Sequence, residues 1–181
     1  AWIEGWSREF SQKLAQKGWI GVTWPEKYGG RGWSYLDRLV ITEEFFRYAA
    51  PVQAHWPGDR QIGPSLINYG TEEQRKYFLP RIIQGEITFG LGMSEPEAGS
   101  DLASLRLRAQ EKDGYFLFNG QKVWTGGAHK ADYVYIVART DPEAPKHKGI
   151  TEFIVDLKTP GINIRPLIDM AGTHHLNEVY F

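Results

Sequence analysis

Residues 105–124 read LRLRAQEKDGYFLFNGQKVW, and the reading of this stretch decides the fold class. Apolar and polar side chains alternate along it with the two-residue period of a strand whose faces meet different surroundings. Asp113-Gly114 and Asn119-Gly120 are dipeptides that accept positive φ, so each is expected to close a tight hairpin. The stretch is expected to be antiparallel sheet.

Downstream, YVYIVAR (133–139), TEFIVDL (151–157) and INIRPL (162–167) are further β-branched and aromatic runs. Asp141-Pro142-Glu143-Ala144-Pro145 and Pro160-Gly161 separate them. The final NEVYF reads as a strand, and its abrupt stop leads us to expect further protein beyond it.

Upstream of about residue 87 the period becomes helical. Trp2, Trp6, Phe10 and Leu14 recur four apart and Gly18 suits a helix C-terminus, so a first helix, or its second half, is expected there without a cap ahead of it. A Gly/Pro/aromatic loop, GWIGVTWPEKYGGRGWS, leads to Ser34 and Asp37, a capping pair for a second helix over 35–49. Pro51 and Pro57 are expected to break the chain before a third helix carrying Ile62, Leu66 and Tyr69 and closed by Gly70. Thr71 with Gln74 caps a fourth, which Pro80 should bend or interrupt. Helices followed by strands define an α+β chain: a helical domain over 1–86 and an antiparallel β domain over 87–181.

The 181 residues carry a formal net charge of -1 with both signs interleaved, which argues against nucleic acid or an anionic membrane as the main partner. There is no cysteine, hence no disulfide framework and no thiolate chemistry; a cytoplasmic location is expected, and redox work would need a bound cofactor. No apolar run is long enough for a membrane span. Seven Trp, nine Tyr and nine Phe exceed what an ordinary core requires, and a flat ligand held between rings is one reading of the excess. A carbohydrate-binding module would explain the tryptophans but not the helical half.

Two segments could carry chemistry. MSEPEAGSD (93–101) offers Glu95, Glu97 and Asp101 as carboxylates, while Pro96 and Gly99 shape a loop that can aim N–H groups and the hydroxyls of Ser94 and Ser100 at a polar ring or a phosphate. In GQKVWTGGAHKAD (120–132), Trp124 leaves a strand and enters small residues, so its ring can lie against a flat ligand. His174 and His175 are adjacent on a strand and face opposite ways, which argues against shared metal ligation, and no metal site is expected.

Taken in order, SEPEAGSD, NGQKVWTGGA, ADYVYIVARTDP, KGITEFIVD and TPGINIRP resemble the acyl-CoA dehydrogenase family, and WPEKYGGRG with YGTEEQRKYFLPRIIQGEITFG resembles its helical N-terminal part. WTGGAHKAD and NEVYF are most similar to the bacterial branch that includes enzymes for branched, aromatic or steroid side-chain thioesters. The resemblance implies an N-terminal helical domain, a barrel-like β middle domain and a C-terminal four-helix domain, the last absent here, assembled as homodimers or homotetramers.

It also implies FAD as cofactor, with Leu91, Met93 and Ser94 at the flavin pyrimidine edge, Trp124 on the isoalloxazine, and Thr125 and Gly126 near N5. Many relatives carry Thr or Ser at the position of Gly126. Ser100 and His147 match positions that contact the CoA part of an acyl-CoA substrate. Glu97 stands where the motif commonly has glycine, which argues for a tolerated carboxylate. The implied reaction is α,β-desaturation of an acyl-CoA thioester in fatty-acid β-oxidation, with electrons passed to electron-transfer flavoprotein or a similar acceptor. The family's catalytic base, a carboxylate of the C-terminal domain, has no counterpart in this chain. Alternatives on the same scaffold are an acyl-CoA oxidase, a flavin monooxygenase, or a non-catalytic subunit whose partner carries the base.

Overall fold

The computed structural model describes residues 5–181, and the chain divides into two compact units, residues 1–89 and 90–181. Trp2, one of the four residues behind the first expected helix, lies outside the described residues.

The helical unit holds α1 (Arg8–Gln16), α2 (Tyr35–Arg47), α3 (Gly63–Tyr69) and α4 (Glu72–Ile83). Helix α1 corrects the sequence reading: Ser7 caps it, its side chain accepting from the Phe10 N–H, so the helix begins here. Trp6 lies outside it and bridges Val52. The two expected capping boxes form, Ser34 with Asp37 ahead of α2 and Thr71 with Gln74 ahead of α4. The Pro57 region differs from expectation. Helical backbone begins at residue 56, passes through a π-helical turn over Gly58–Ile62 and continues as α3, because a proline in a first helical turn removes only an N–H that would be unpaired anyway. Pro80 sits inside α4, which runs on to Ile83.

Leu14, Ile20, Phe45, Ala50 and Val52 form one core of this unit, with Phe10, Ile41 and Trp56 against it. Trp24 is buried; its Nε1 donates to the Asp59 carbonyl at 3.2 Å, and Gly63 lies against its ring, where a Cβ would come within 1.9 Å.

The sheet unit takes in β1 (Phe89–Gly92), β2 (Arg108–Lys112), β3 (Tyr115–Asn119), β4 (Gln121–Lys122), β5 (Tyr133–Arg139), β6 (Ile150–Asp156), β7 (Asn163–Ile168) and β8 (His174–Tyr180). They form two open sheets and no closed barrel: five strands in the order β1-β5-β2-β3 with β6 also on β5, and three in the order β4-β8-β7. Asp113-Gly114 closes the β2-β3 hairpin as expected. Asn119-Gly120 does not close one. Gly120, at φ 145, passes the chain from the first sheet to the second, where β4 pairs with β8. The antiparallel expectation also fails at one point, since β2 meets β5 in parallel at Arg108↔Arg139. Strand β5 is covered on both faces, with Val134, Ile136 and Ala138 on one and Tyr135 and Val137 on the other. The first three join Leu107 and Ala109 in the main core.

Candidate functional site

In the sheet unit, the segment that follows β1 and the segment that follows β4 run side by side. Val123 N–H donates to the Ser94 carbonyl at 2.9 Å, so Met93 and Ser94 are brought beside Trp124. The weld is reinforced from below. Lys122, fully buried, extends its ammonium to the Met93 carbonyl at 3.1 Å and to Glu95 Oε1 at 2.8 Å. Burial pulls the Lys122 pKa down, and the Glu95 carboxylate opposes that shift.

Glu95 is therefore an anchor. It accepts from Arg106 N–H at 2.6 Å and Leu107 N–H at 2.9 Å as well as from Lys122, leaving no lone pair poised toward solvent chemistry. Its backbone exchanges two hydrogen bonds with Ala98, making a tight turn with Pro96 and Glu97 at the corner. Glu97 is exposed and pairs with Arg106 at 2.9 Å. Asp101, also exposed, pairs with Lys146 and accepts from Ser104; the Lys146 ammonium and the Ser104 hydroxyl hold its carboxyl below the usual range. Gly99 corrects the sequence reading: its φ is not left-handed and a Cβ would meet nothing within 4 Å, so no conformation here demands glycine.

Trp124 is the unusual residue. Its φ is 60, a region that bulky side chains rarely occupy, yet 60% of it is exposed. A strained backbone that presents an aromatic ring to the outside is the pattern of a binding position. Leu91, Met93, Ser94 and Gly126 are half-buried around it. Neither the Ser94 hydroxyl nor the N–H groups of Ser94 and Gly126 have a hydrogen-bond partner among the described residues. A flat face, a thin glycine neighbour and free donors are what a flavin ring would use.

Thr125 stands apart from that set. It is fully buried, its N–H donates to the Asn177 carbonyl and its carbonyl accepts from Asn177 Nδ2, both at 2.9 Å. Its Oγ1 is enclosed and unpartnered among the described residues. The residue supports the turn from inside, and Gly126 is the one left at the surface.

Sequence reasoning missed Asn177 and the imidazoles behind the turn. Asn177 Oδ1 lies 2.8 Å from His174 Nε2, and the His174 ring stacks on His129 with centroids 3.9 Å apart. Burial, then the His174 and Lys130 charges, push the His129 pKa down. His175 faces elsewhere, 3.6 Å from Asp169, so the adjacent histidines do have different partners. A buried asparagine in the otherwise strand-like HHLNEVY was the available signal.

Ser100 and His147 are both exposed, and the Asp101–Lys146 pair holds their two loops together. A cleft of about 500 Å³ lined by Pro96, Asn119, Gly120, Tyr180 and Phe181 lies elsewhere on this unit and shares only Glu95 and Glu97 with the residues singled out above.

Fold and site define a flavin-type dehydrogenase scaffold of helical and sheet units. Residues 2–86 match the family described as acyl-CoA dehydrogenase, N-terminal domain, and residues 90–181 match the acyl-CoA dehydrogenase middle domain; the chain belongs to the acyl-CoA dehydrogenase family. Acyl-CoA dehydrogenase FadE29 of Mycobacterium tuberculosis is 43% identical over 174 residues, covering 96% of this chain and 44% of that protein. Among solved structures, a steroid ACAD, Tcur3481-Tcur3483, superposes with a TM-score of 0.90 at 41% identity, covering 96% of this chain and 44% of that one. The ChsE4-ChsE5 complex from Mycobacterium tuberculosis gives a TM-score of 0.90 at 39% identity, over 96% and 45% of the two chains. The chain thus spans less than half the length of these relatives.

Proposed function

We propose that this chain supplies the flavin-facing part of an FAD-dependent acyl-CoA dehydrogenase. The observation that carries the reading is the junction of Met93–Ser94 with Trp124–Gly126 through the Val123–Ser94 hydrogen bond. Trp124 would lie on the ring face, while the Ser94 hydroxyl and the Ser94 and Gly126 N–H groups would donate to its polar edge, where negative charge gathers on reduction. Bound FAD would supply hydride acceptance from the β-carbon of the thioester as the α-proton is removed. Ser100 and His147 would meet the CoA portion, on the loops joined by Asp101 and Lys146.

None of the three loop carboxylates serves as the base in this reading, because each is already committed to a cation. The α-proton acceptor belongs to another part of the full-length protein or to a partner subunit. Electrons would leave to electron-transfer flavoprotein or a similar acceptor, from a dimer or tetramer. The likeness to a steroid ACAD supports a bulky acyl group as substrate.

A second reading is a non-catalytic subunit of a heteromeric enzyme, supported by the likeness to the ChsE4-ChsE5 complex. One experiment separates the two. The full-length protein is purified, its flavin absorbance recorded, and acyl-CoA thioesters added without air. Bleaching of bound flavin supports the dehydrogenase; bound flavin that no thioester bleaches until a partner subunit is added supports the second reading. Rapid peroxide release in air would move the assignment to an oxidase, and a protein without flavin would sink both.

A further inference from the structure

A fully buried lysine asks for a reason, because taking an ammonium out of water costs several kcal/mol before any partner is found. Holding the two segments together is not reason enough. The Val123–Ser94 hydrogen bond already joins them, and an apolar pair of the same volume would join them without the desolvation cost.

The pair is also oriented. Its cationic end touches the Met93 carbonyl at 3.1 Å, one residue before Ser94. Its anionic end is drawn onto the N–H groups of Arg106 and Leu107, at 2.6 and 2.9 Å. The positive end of a buried dipole therefore faces the Met93–Ser94 backbone, in surroundings too dry to screen it well.

We propose that Lys122 is a positioning residue for the flavin: held by Glu95 and drawn onto the Met93 carbonyl, its ammonium fixes the Met93–Ser94 edge and favours the reduced, more negative ring. Glu95 sets how strongly, since its carboxylate offsets part of the charge. The inference rests on the flavin reading above and adds to it a residue that touches neither substrate nor ring.

The test is an anaerobic redox titration of the full-length, FAD-containing protein against a reference dye. Lys122→Met is expected to move the ratio of reduced to oxidised flavin about tenfold toward oxidised at a fixed potential, which is about 30 mV for a two-electron couple. Lys122→Arg, which keeps the charge, restores most of the difference. Glu95→Gln keeps the ammonium and removes its counter-charge, so it moves the ratio the other way. Flavin bound at an unchanged potential in Lys122→Met overturns the proposal. Should that variant not fold, Glu95→Gln decides: no shift, or a shift toward oxidised, overturns it. A wild-type protein without flavin would instead fail the functional reading itself, so the two failures are distinguishable.

Discussion

In the helical unit, Asp59 and Arg60 are sequence neighbours on one π-helical turn, whereas in the sheet unit Glu95 and Lys122 come from segments 27 residues apart. Asp59 accepts one backbone N–H, from Gly21 at 2.8 Å, and Arg60 Nε at 3.2 Å. Burial pushes its carboxyl pKa up despite Arg60. Arg60 has other support: it donates to Thr42 Oγ1 at 2.6 Å and lies over the Trp56 ring at 4.2 Å. A local pair of this kind can form wherever the helix turns. The long-range pair forms only when two segments meet, so it enforces the meeting that the site depends on.

The largest effect should come from breaking that difference. Glu95→Ala leaves the Lys122 ammonium buried without its counter-charge and is expected to cost about 3–5 kcal/mol in denaturant unfolding. Asp59→Asn keeps an acceptor for Gly21 and should cost about 1 kcal/mol. Equal costs would erase the contrast between the two pairs.

Acid should find the helical unit first. His55, 4% exposed with Nδ1 at 2.9 Å from Ser11 Oγ, has its pKa lowered from 6.5 to about 4 by burial, with Arg60 adding to the shift. The unfolded chain binds this proton before the folded one does, so stability is lost as pH falls from about 6.5 to about 4, by about 3 kcal/mol in all. Asp59 acts in the opposite sense, because its raised carboxyl makes the folded state the better proton binder at low pH. The His55 contribution is therefore read as the difference between wild type and His55→Gln in urea midpoints across that window; parallel curves would remove His55 from the account.

In the sheet unit, strain should be worth about 1 kcal/mol at Trp124. Trp124→Asn, a residue that accepts φ near 60, is expected to raise stability by that amount while weakening flavin binding in the full-length protein. A variant that gains stability and keeps its flavin would separate the strained turn from the site. The smallest effect belongs to Gly99→Ala, expected within about 0.5 kcal/mol of wild type because neither φ nor space requires glycine there. Gly127→Ala, at φ 65 and buried, should cost more than that by thermal unfolding.

Local signals with a mechanism were legible. The Ser34 and Thr71 capping boxes and the Asp113-Gly114 turn depend on residues three positions apart or fewer, and each formed. What failed depended on partners far away. Asn119-Gly120 carries the same local preference as Asp113-Gly114, but Gln121 and Lys122 pair with Tyr180 and Val179 rather than turning back on β3. The residues beside the candidate site were legible through the family resemblance; the buried state of Lys122 was not, because a lysine in a short polar strand reads as solvated until its acceptors are known.

The π turn at Gly58–Ile62 has a consequence for length variation. Such a turn closes a wider ring than an α turn and so accommodates one more residue over nearly the same rise. Losing one residue there would leave a regular helix but rotate everything after it by about 100°. Gly63 would swing away from the Trp24 ring and a bulkier side chain would be driven into it. The segment is thus a ratchet for insertion and deletion: a single residue gained or lost resets which face of the following helix meets the core, while the helix itself survives.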